Sequence, residues 1–440
     1  MNRYLKWVGT PEFGVAIMWP IGVHSSPFHR PGPSLLGVMR TLFERKISIA
    51  LPTMLAIQSF GTMCCFAGAV VAVQAAVDLG VKSTSIGIYT AVIYVTGMVS
   101  GLIAGSFLAR YGVIRTCQVA LLVGALGLGL AGAFPFWPVA IGAAVLLGMG
   151  TGPLNPAGSR ILARYAPPQW QPFVFSVKQT GTPLGGMLAG LLLPPLMVLY
   201  DWRVAVVAIS AIPLVMLFGL QLIRNNLDDD RDPDFRISFT GILSSLRLIL
   251  TSKPLVTLAT AGYLYTFAQM SILSFMVIYL VETNGLSAGF AGGIFAIIHG
   301  SAIPARIAWG AVAGRFLSSW VLLGLLGIMM SGSIVAMSLF MPTWPFWLTA
   351  LIAVMLGAST NGVLGLLMSE FARLAPEDKV GETVGGAQFF LFFGIVSGPP
   401  IFGAMVEFGG GYGNAFYLIA TTTRAAGCLL LLIARHGRPG

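Results

Sequence analysis

Hydrophobic and polar residues alternate along this chain in long blocks. Apolar runs, most of them about 20 residues or longer, are separated by short polar stretches. A helix of about 20 apolar residues crosses the ~30 Å hydrocarbon core of a membrane. The pattern therefore predicts twelve transmembrane helices, at residues 49–77, 84–108, 116–134, 138–162, 172–199, 204–223, 254–281, 287–311, 319–341, 344–370, 383–407 and 413–434.

One long polar stretch divides the predicted helices into two sets of six. It contains a run of aspartates followed by Ile237 to Leu250, which has the pattern of a short amphipathic helix. The predicted organisation has five parts: a cytoplasmic tail at 1–46, a six-helix bundle at 47–223, a cytoplasmic linker at 224–253, a second six-helix bundle at 254–435 and a cytoplasmic tail at 436–440.

The composition agrees with a membrane location. The chain is 56% hydrophobic and 9% charged, whereas soluble domains are about 45–50% apolar and about 25% charged. So few charges could not cover the surface of a soluble protein of this length. We therefore predict an all-α integral membrane protein with the lipid bilayer as its solvent.

The net charge of +10 comes from basic residues at the ends of apolar runs. Their placement does not form the basic face that nucleic-acid binding requires, so no nucleic-acid partner is expected. Only Lys82 and Arg203 fall in the loops of one side, and nearly all other basic residues fall on the opposite side. This asymmetry predicts a multi-pass protein of the cell membrane, in a bacterium the inner membrane, with both termini and the linker in the cytoplasm.

The first 38 residues contain no apolar run long enough to span a membrane, and they lack the pattern of a secretory signal. Two interpretations stay open at this point. Either these residues form a cytoplasmic tail, or translation begins at Met39, whose basic flank starts at Arg40.

The two halves of the chain resemble each other. Arg110 and Arg315 end corresponding helices, and Gln179 and Gln388 occupy corresponding positions in later helices. The offsets between matching positions are 205 to 209 residues, about half the chain. Recurrence at a nearly constant offset indicates an internal repeat. The fold prediction is therefore two pseudo-symmetric six-helix bundles.

Two six-helix halves joined by a cytoplasmic linker resemble the major facilitator superfamily. The loop after the second helix matches the family pattern G-x-x-x-D-R-x-G-x-x-R at Gly105, Arg110, Gly112 and Arg115, with Ala109 in place of the Asp. The resemblance implies that these four residues belong to a gate between the halves. Arg315, at the corresponding place in the second half, is assigned to the same gate.

The resemblance also implies a secondary transporter. In that fold the substrate binds near the membrane midplane between the halves, which rock to expose the site to each side in turn. The sequence contains no metalloprotease, paired-aspartate, nucleotide-binding or nucleophile-and-base motif. We therefore expect no enzymatic activity, no cofactor and no bound metal.

Two basic residues within predicted helices are the strongest candidates for substrate binding. A charge at the bilayer centre costs at least ~2.5–3.5 kcal/mol, so it marks a function or a partner. Lys178 lies in a polar stretch beside Gln179, and its alternative role is to extend to the membrane surface. Arg306 lies in a segment similar to one in monocarboxylate and nitrate transporters of the superfamily, where an Arg binds the anion. Its alternative role is an interhelical or gating contact.

Further polar residues complete the candidate binding site. They are Asn155, Asn361, Gln388 and His299. Each has an alternative role in packing, because polar side chains also join membrane helices. His299 has the additional possibility of a proton relay.

No Asp or Glu lies near the middle of a predicted helix. Basic residues without buried acids favour an anionic substrate, with a monocarboxylate as the example, and a proton is a possible co-substrate. The leading hypothesis is a secondary active transporter, a permease or symporter that works by alternating access. The alternative is an efflux permease for drugs or metabolites, and a membrane enzyme or scaffold is a third class.

Overall fold

The computed structural model describes residues 46–167, 170–228, 232, 242–313, 315–376 and 379–436. Within these ranges the chain folds into helices and contains no β-strand. Twelve of the described helices are long and apolar enough to cross a membrane. The all-α fold with twelve membrane spans is therefore confirmed.

The spanning helices are numbered in chain order. They are α1 (Ile47–Leu79), α2 (Ile86–Tyr111), α3 (Val113–Ala133), α4 (Trp137–Thr151 and Leu154–Tyr165), α5 (Gln171–Gln179 and Gly181–Leu199), α6 (Trp202–Leu227), α7 (Lys253–Ile278), α8 (Ala288–Val312), α9 (Ser319–Ser338), α10 (Phe346–Leu374), α11 (Val380–Phe408) and α12 (Tyr412–His436). A linker helix, Ile242–Thr251, precedes α7.

Each predicted apolar run overlaps one of these helices, with ends that differ by a few residues. The linker helix was expected from Ile237 and is seen from Ile242. Residues 233–241 lie outside the described part of the chain, as do residues 1–45 and 437–440, on which the predictions of terminal tails fall.

Alternating spans place the connections at two ends of the molecule. The linker helix and the turns at Gly112 and Ala375 lie at one end, which we call the linker end. The connections at Gly80 and Gly285 lie at the opposite end, which we call the far end. Among the described connections, the far end carries Lys82 and few other basic residues.

The two halves pack their helices in the same way. α1 packs on α5 as α7 packs on α11, α2 on α4 as α8 on α10, and α3 on α6 as α9 on α12. Between the halves, α5 contacts α8 and α2 contacts α11. These matched pairs confirm the pseudo-symmetry of the two bundles.

Glycines permit the close approach of corresponding helices. A Cβ atom on Gly148 of α4 would lie 1.9 Å from the Oγ1 atom of Thr96 on α2. In the second half, a Cβ atom on Gly357 of α10 would lie 2.2 Å from the Oγ atom of Ser301 on α8. Small residues at such contacts let membrane helices pack backbone to backbone. The repeat seen in the sequence thus also preserves the contacts that set helix spacing.

α4 is interrupted near its middle, and α5 is interrupted about a third of the way along from the linker end. The break in α4 falls at Gly152 and Pro153, and the break in α5 falls at Thr180, three residues before Pro183. Proline has no backbone N–H, so it removes a helical hydrogen bond to the carbonyl four residues earlier. Broken helices in membranes are tolerated where other groups satisfy the backbone, and such breaks often line a binding site.

Candidate functional site

Lys178 is fully buried on the first segment of α5. Its ammonium Nζ donates to the main-chain oxygen of Asn155 at 3.2 Å and to the side-chain oxygen of the same residue. A Cβ atom on Gly158 would lie 2.6 Å from Cε of Lys178, so glycine there leaves room for the lysine stem. The side chain therefore points to α4 and does not extend to the membrane surface.

Arg306 of α8 bonds across the two halves at the break in α5. Its Nη1 donates to the carbonyl oxygen of Gln179 at 3.0 Å. That oxygen would accept from the N–H of residue 183 in a regular helix, but residue 183 is a proline. Pro183 thus leaves the carbonyl oxygen of Gln179 without its helical donor. The guanidinium of Arg306, from the other half, donates a hydrogen bond to it instead.

The guanidinium retains unused hydrogen-bonding capacity. The Nε atom of Arg306 is buried and has no hydrogen-bond partner among the described residues. No described carboxylate pairs with Arg306 or with Lys178. Because Arg306 binds the residue next to Lys178, the two positive charges share one region of the interface. Uncompensated charges of one sign in a low-dielectric environment attract an ion of the opposite sign.

The sequence analysis expected the binding site at the membrane midplane. The charged pair is displaced from the midplane toward the linker end. Arg306 is six residues from the end of α8, and Lys178 is seven residues from the start of α5. At a rise of 1.5 Å per residue, both lie roughly 10 Å from the linker end of their helices.

His299 lies two helical turns farther from the linker end than Arg306, where α8 packs on α5. His299 is 1% exposed, and its ring packs at steep angles against the rings of Phe66 and Phe295, with 4.6 Å between ring centroids in each pair. A Cβ atom on Gly186 of α5 would lie 2.4 Å from the ring. Neither ring nitrogen has a hydrogen-bond partner in the described structure. His299 is thus separate from the charged pair and is held in a buried, largely apolar interface.

The remaining predicted amides occupy different surroundings. Asn361 is buried on α10 and accepts a hydrogen bond at 2.8 Å from Nε2 of Gln269 on α7. Gln388 is exposed on α11. The structure thus brings Lys178, Gln179, Asn155 and Arg306 together, whereas Asn361, Gln388 and His299 lie apart from them.

The predicted gate loop is bonded within its own half. Gly112 adopts a left-handed φ of 92°. A Cβ atom on Gly112 would lie only 2.5 to 2.8 Å from the carboxylate atoms of Asp228. Asp228, at the end of α6, accepts from the backbone N–H groups of Ile114 and Arg115 at 2.6 and 3.0 Å. An acceptor at these N–H groups stabilises the start of α3.

The other gate residues make local contacts. Arg110 lies over the ring of Tyr111, and Arg315 lies over the ring of Phe316. Gly105 has open space where a Cβ atom would be. Their assignment to a gate stays a prediction.

Polar contacts that the sequence analysis missed join the halves at the far end. Lys82 pairs with Glu407, and Thr84 donates to the same carboxylate at 3.2 Å. Ser83 donates to Glu282 at 2.9 Å. The sequence did contain one signal of these contacts. Lys82 is one of the few basic residues at the far end, and the second half carries two glutamates, Glu282 and Glu407, at the same end.

The backbones of the two halves also meet at the far end. A Cβ atom on Gly87 of α2 would lie 2.6 Å from the carbonyl oxygen of Pro399 on α11. At the corresponding place, a Cβ atom on Gly292 of α8 would lie 2.7 Å from the carbonyl oxygen of Gly190 on α5. The far end is therefore closed by two pseudo-symmetric glycine contacts.

An apolar cavity of about 60 Å³ lies within the first bundle. Its lining includes Tyr89 of α2, Trp137 of α4 and Trp202 of α6. It lies inside one half, away from Lys178 and Arg306, and so is not part of the interface between the halves.

Comparisons with known proteins agree with this architecture. The Major Facilitator Superfamily model matches residues 53–373. A hexuronate transporter of Bacillus subtilis (strain 168) is 26% identical over 363 residues, which cover 78% of this chain and 83% of that protein. An MFS-type transporter of Gibberella moniliformis (strain M3125 / FGSC 7600) is 23% identical, with 61% of this chain and 62% of that protein covered.

Solved structures show the same fold. A bacterial homologue of the human lysosomal transporter Spinster, in an inward-facing and occupied conformation, has a TM-score of 0.69 at 16% identity, covering 88% of this chain and 97% of that chain. A nucleoside transporter has a TM-score of 0.71 at 13% identity, covering 87% and 99%. The relatives are transporters, which confirms the prediction that this chain is not an enzyme.

Proposed function

Because the chain belongs to the major facilitator superfamily, and is therefore a multi-pass membrane transporter of small molecules, we propose that it carries a small organic anion. In this proposal Lys178 and Arg306 bind the anion from opposite halves. Asn155 and Gln179 position these two residues and offer further polar groups to the substrate.

One observation carries the proposal. Arg306 of one half binds the carbonyl oxygen of the residue next to Lys178 of the other half, and neither basic side chain has a carboxylate partner in the described residues. A buried charge without a counter-charge is destabilising by several kcal/mol. A guanidinium fork can bind a carboxylate with two hydrogen bonds, and the unpaired Nε of Arg306 leaves part of that fork available. A substrate carboxylate would therefore compensate both charges.

We further propose that the anion is a sugar acid. The hexuronate transporter to which this chain is similar supports that class.

Transport is proposed to proceed by alternating access. The far end is closed by the Lys82–Glu407 pair and by glycine contacts. The Arg306 hydrogen bond to α5 lies nearer the linker end and would change as the halves rock. An anion held by both halves favours the state in which Lys178 and Arg306 come closest.

The orientation is proposed from charge. Basic residues are concentrated at the linker end, so this end is assigned to the cytoplasm of a cell membrane, with both termini on that side. Impermeant thiol labelling of single cysteines at Phe316 and Phe134, which are exposed at opposite ends, tests the assignment. Labelling from outside the cell should occur at Phe134→Cys alone.

The test of the substrate class is calorimetric titration of the purified protein. Galacturonate should bind, and galactose, which has the same ring without the carboxylate, should not. Lys178→Gln and Arg306→Gln should each weaken galacturonate binding by about 10- to 100-fold, the equivalent of one charge-assisted hydrogen bond. Arg424→Gln, at an exposed arginine of α12, should leave it unchanged.

Three outcomes would refute parts of the proposal. Equal binding of galactose would refute an anionic substrate. Binding of lactate alone would refute the sugar acid and keep the anion. Binding of lipophilic cations in place of anions would favour the efflux alternative.

A further inference from the structure

The interface of α1, α5 and α8 holds most of the buried polar atoms that lack a partner in the described structure. They are Oε1 of Gln58, Nε of Arg306 and both ring nitrogens of His299, four of six such atoms. Gln58 contacts Gly181 of α5, and His299 contacts Gly186 five residues farther along. Buried polar atoms without partners are rare in stable interiors. Their concentration along one interface indicates that these groups meet water or a ligand in another state of the protein.

His299 is the one titratable ring in this set. It is enclosed by Phe66 of α1, Phe295 of α8 and Gly186 of α5. An imidazolium in this position would have two N–H donors, neither with an acceptor. Desolvation of that charge beside aromatic and aliphatic groups is unfavourable. The closed interface therefore accommodates only the neutral ring.

The charged groups around His299 are also positive. On its own helix the nearest is Arg306, two turns away and roughly 10 Å along the axis. On α5 it is Lys178, eight residues from Gly186. On α1 the nearby titratable groups are the neighbouring thiols Cys64 and Cys65. No described carboxylate on these three helices faces the ring, so nothing in the closed state offsets a positive charge on His299.

The closed α5–α8 contact is part of the closed far end. The Gly190–Gly292 approach lies one turn beyond Gly186, on the same pair of helices. Any opening of the far end must separate these two helices, because their backbones are in contact there. Separation would remove Gly186 from the His299 ring and admit water to it.

We propose that His299 is a proton-binding site that links proton uptake from the far side to opening of the far end. In the closed state the ring is neutral and buried. When α5 and α8 separate, one proton from far-side water binds a ring nitrogen, and the resulting imidazolium opposes closure. This coupling rests on the proposed alternation of the halves, but not on the identity of the substrate.

An anion and the proton would assist each other. A carboxylate bound at Arg306 would offset the positive charge that opposes an imidazolium two turns away. Coupling between two ligands is reciprocal, so protonation of His299 would raise the affinity for the anion to the same degree. Loss of the proton on the opposite side would then favour release.

The test measures the distance between the halves as a function of pH. Spin labels are placed at Phe134→Cys and Met341→Cys, exposed far-end positions in different halves, with the native cysteines replaced. The protein is reconstituted in nanodiscs without substrate. A hydrated imidazole titrates near pH 6.5, so one such group should raise the open-to-closed ratio about tenfold between pH 7.5 and pH 5.5.

His299→Phe and His299→Gln should both abolish this response while keeping the closed distance at pH 7.5. Phenylalanine matches the aromatic packing, and glutamine keeps a polar group that does not titrate. His436→Phe, which removes an exposed histidine at the end of α12, is the matched control and should respond as the wild type does.

A pH response that persists in His299→Phe would overturn the proposal, as would a wild-type protein with no response. Because no substrate is present, either failure leaves anion binding by Lys178 and Arg306 unaffected. Titration with galacturonate tests that binding separately.

Discussion

Replacement of Lys178 by methionine should have opposite effects on stability and on binding. Methionine has nearly the length of lysine and no charge, so it fits the space beside Gly158. The change removes a fully buried ammonium that has only the neutral oxygens of Asn155 as partners. A residue retained for structure and a residue retained for function give different results in this experiment.

The magnitude follows from two competing terms. An uncompensated buried charge destabilises a protein by roughly 3–5 kcal/mol. The hydrogen bonds to Asn155 that would be lost contribute roughly 1.5–3 kcal/mol. Asn155 is half-buried, so water can reach its side chain once Lys178 is gone. We therefore expect Lys178→Met to be more stable than the wild type by about 1–2 kcal/mol, while the affinity for the anion falls about 10- to 100-fold.

The assay pairs thermal unfolding without ligand with calorimetric titration of galacturonate, both in the same detergent. About 1 kcal/mol corresponds to roughly 2–4 °C in the unfolding temperature of a domain of ~200 residues. Arg424→Met on α12 provides the matched control, since it also removes one basic residue from a spanning helix. We expect little change in binding for that variant.

Lower stability of Lys178→Met together with unchanged anion binding would refute the reasoning. Such a result would mean that Lys178 serves to hold α4 against α5. Higher stability with unchanged binding would show that the charge is not compensated by substrate.

Three further changes test the surrounding structure. Pro183→Ala restores an N–H group that competes with Arg306 for the carbonyl oxygen of Gln179. The open fraction at the far end, measured by spin-label distances, should rise up to about fivefold. An unchanged distribution of these distances would contradict the prediction. Glu407→Gln removes the ion pair with Lys82. This pair is exposed and contributes at most about 1 kcal/mol, so the open fraction at the far end should increase only slightly, and by less at high salt. A large, salt-independent increase would show that the pair is more than a weak surface contact. Asp228→Ala removes the acceptor at the start of α3 and should lower the free energy of unfolding by about 1–2 kcal/mol in thermal melts, and an unchanged melt would rule out a stabilising cap.

The candidate site was partly predictable from the sequence. Lys178 and Arg306 were found because charges are unfavourable in hydrocarbon and this chain has few of them within helices. Their convergence was not predictable, because they belong to different halves. It depends on Pro183, which leaves unpaired the carbonyl oxygen that Arg306 binds. Pro183 is evident in the sequence, but the sequence does not show which group meets the carbonyl oxygen four residues before it.

The internal repeat predicted which helix backbones approach each other better than it predicted which side chains share a site. The equivalence of Gln179 and Gln388 places both on corresponding helices, yet only Gln179 lies beside the charged pair. At the same offsets, Ala387 corresponds to Lys178 and Gly101 to Arg306. The repeat preserves glycine contacts because both halves need the same helix spacing. The positive charges occur once, which agrees with the proposal that they form a single site for a single substrate.

The sequence by itself determined the number of spans, the division into two halves and the scarcity of buried acids, because each depends on hydropathy or residue count along the chain. Only the tertiary structure decided that Lys178 binds Asn155, that His299 is buried against Gly186, and that Lys82 pairs with Glu407. These contacts join residues more than 20 positions apart in the chain, and some join its two halves. They arise from the packing of one helix on another, which local periodicity does not encode.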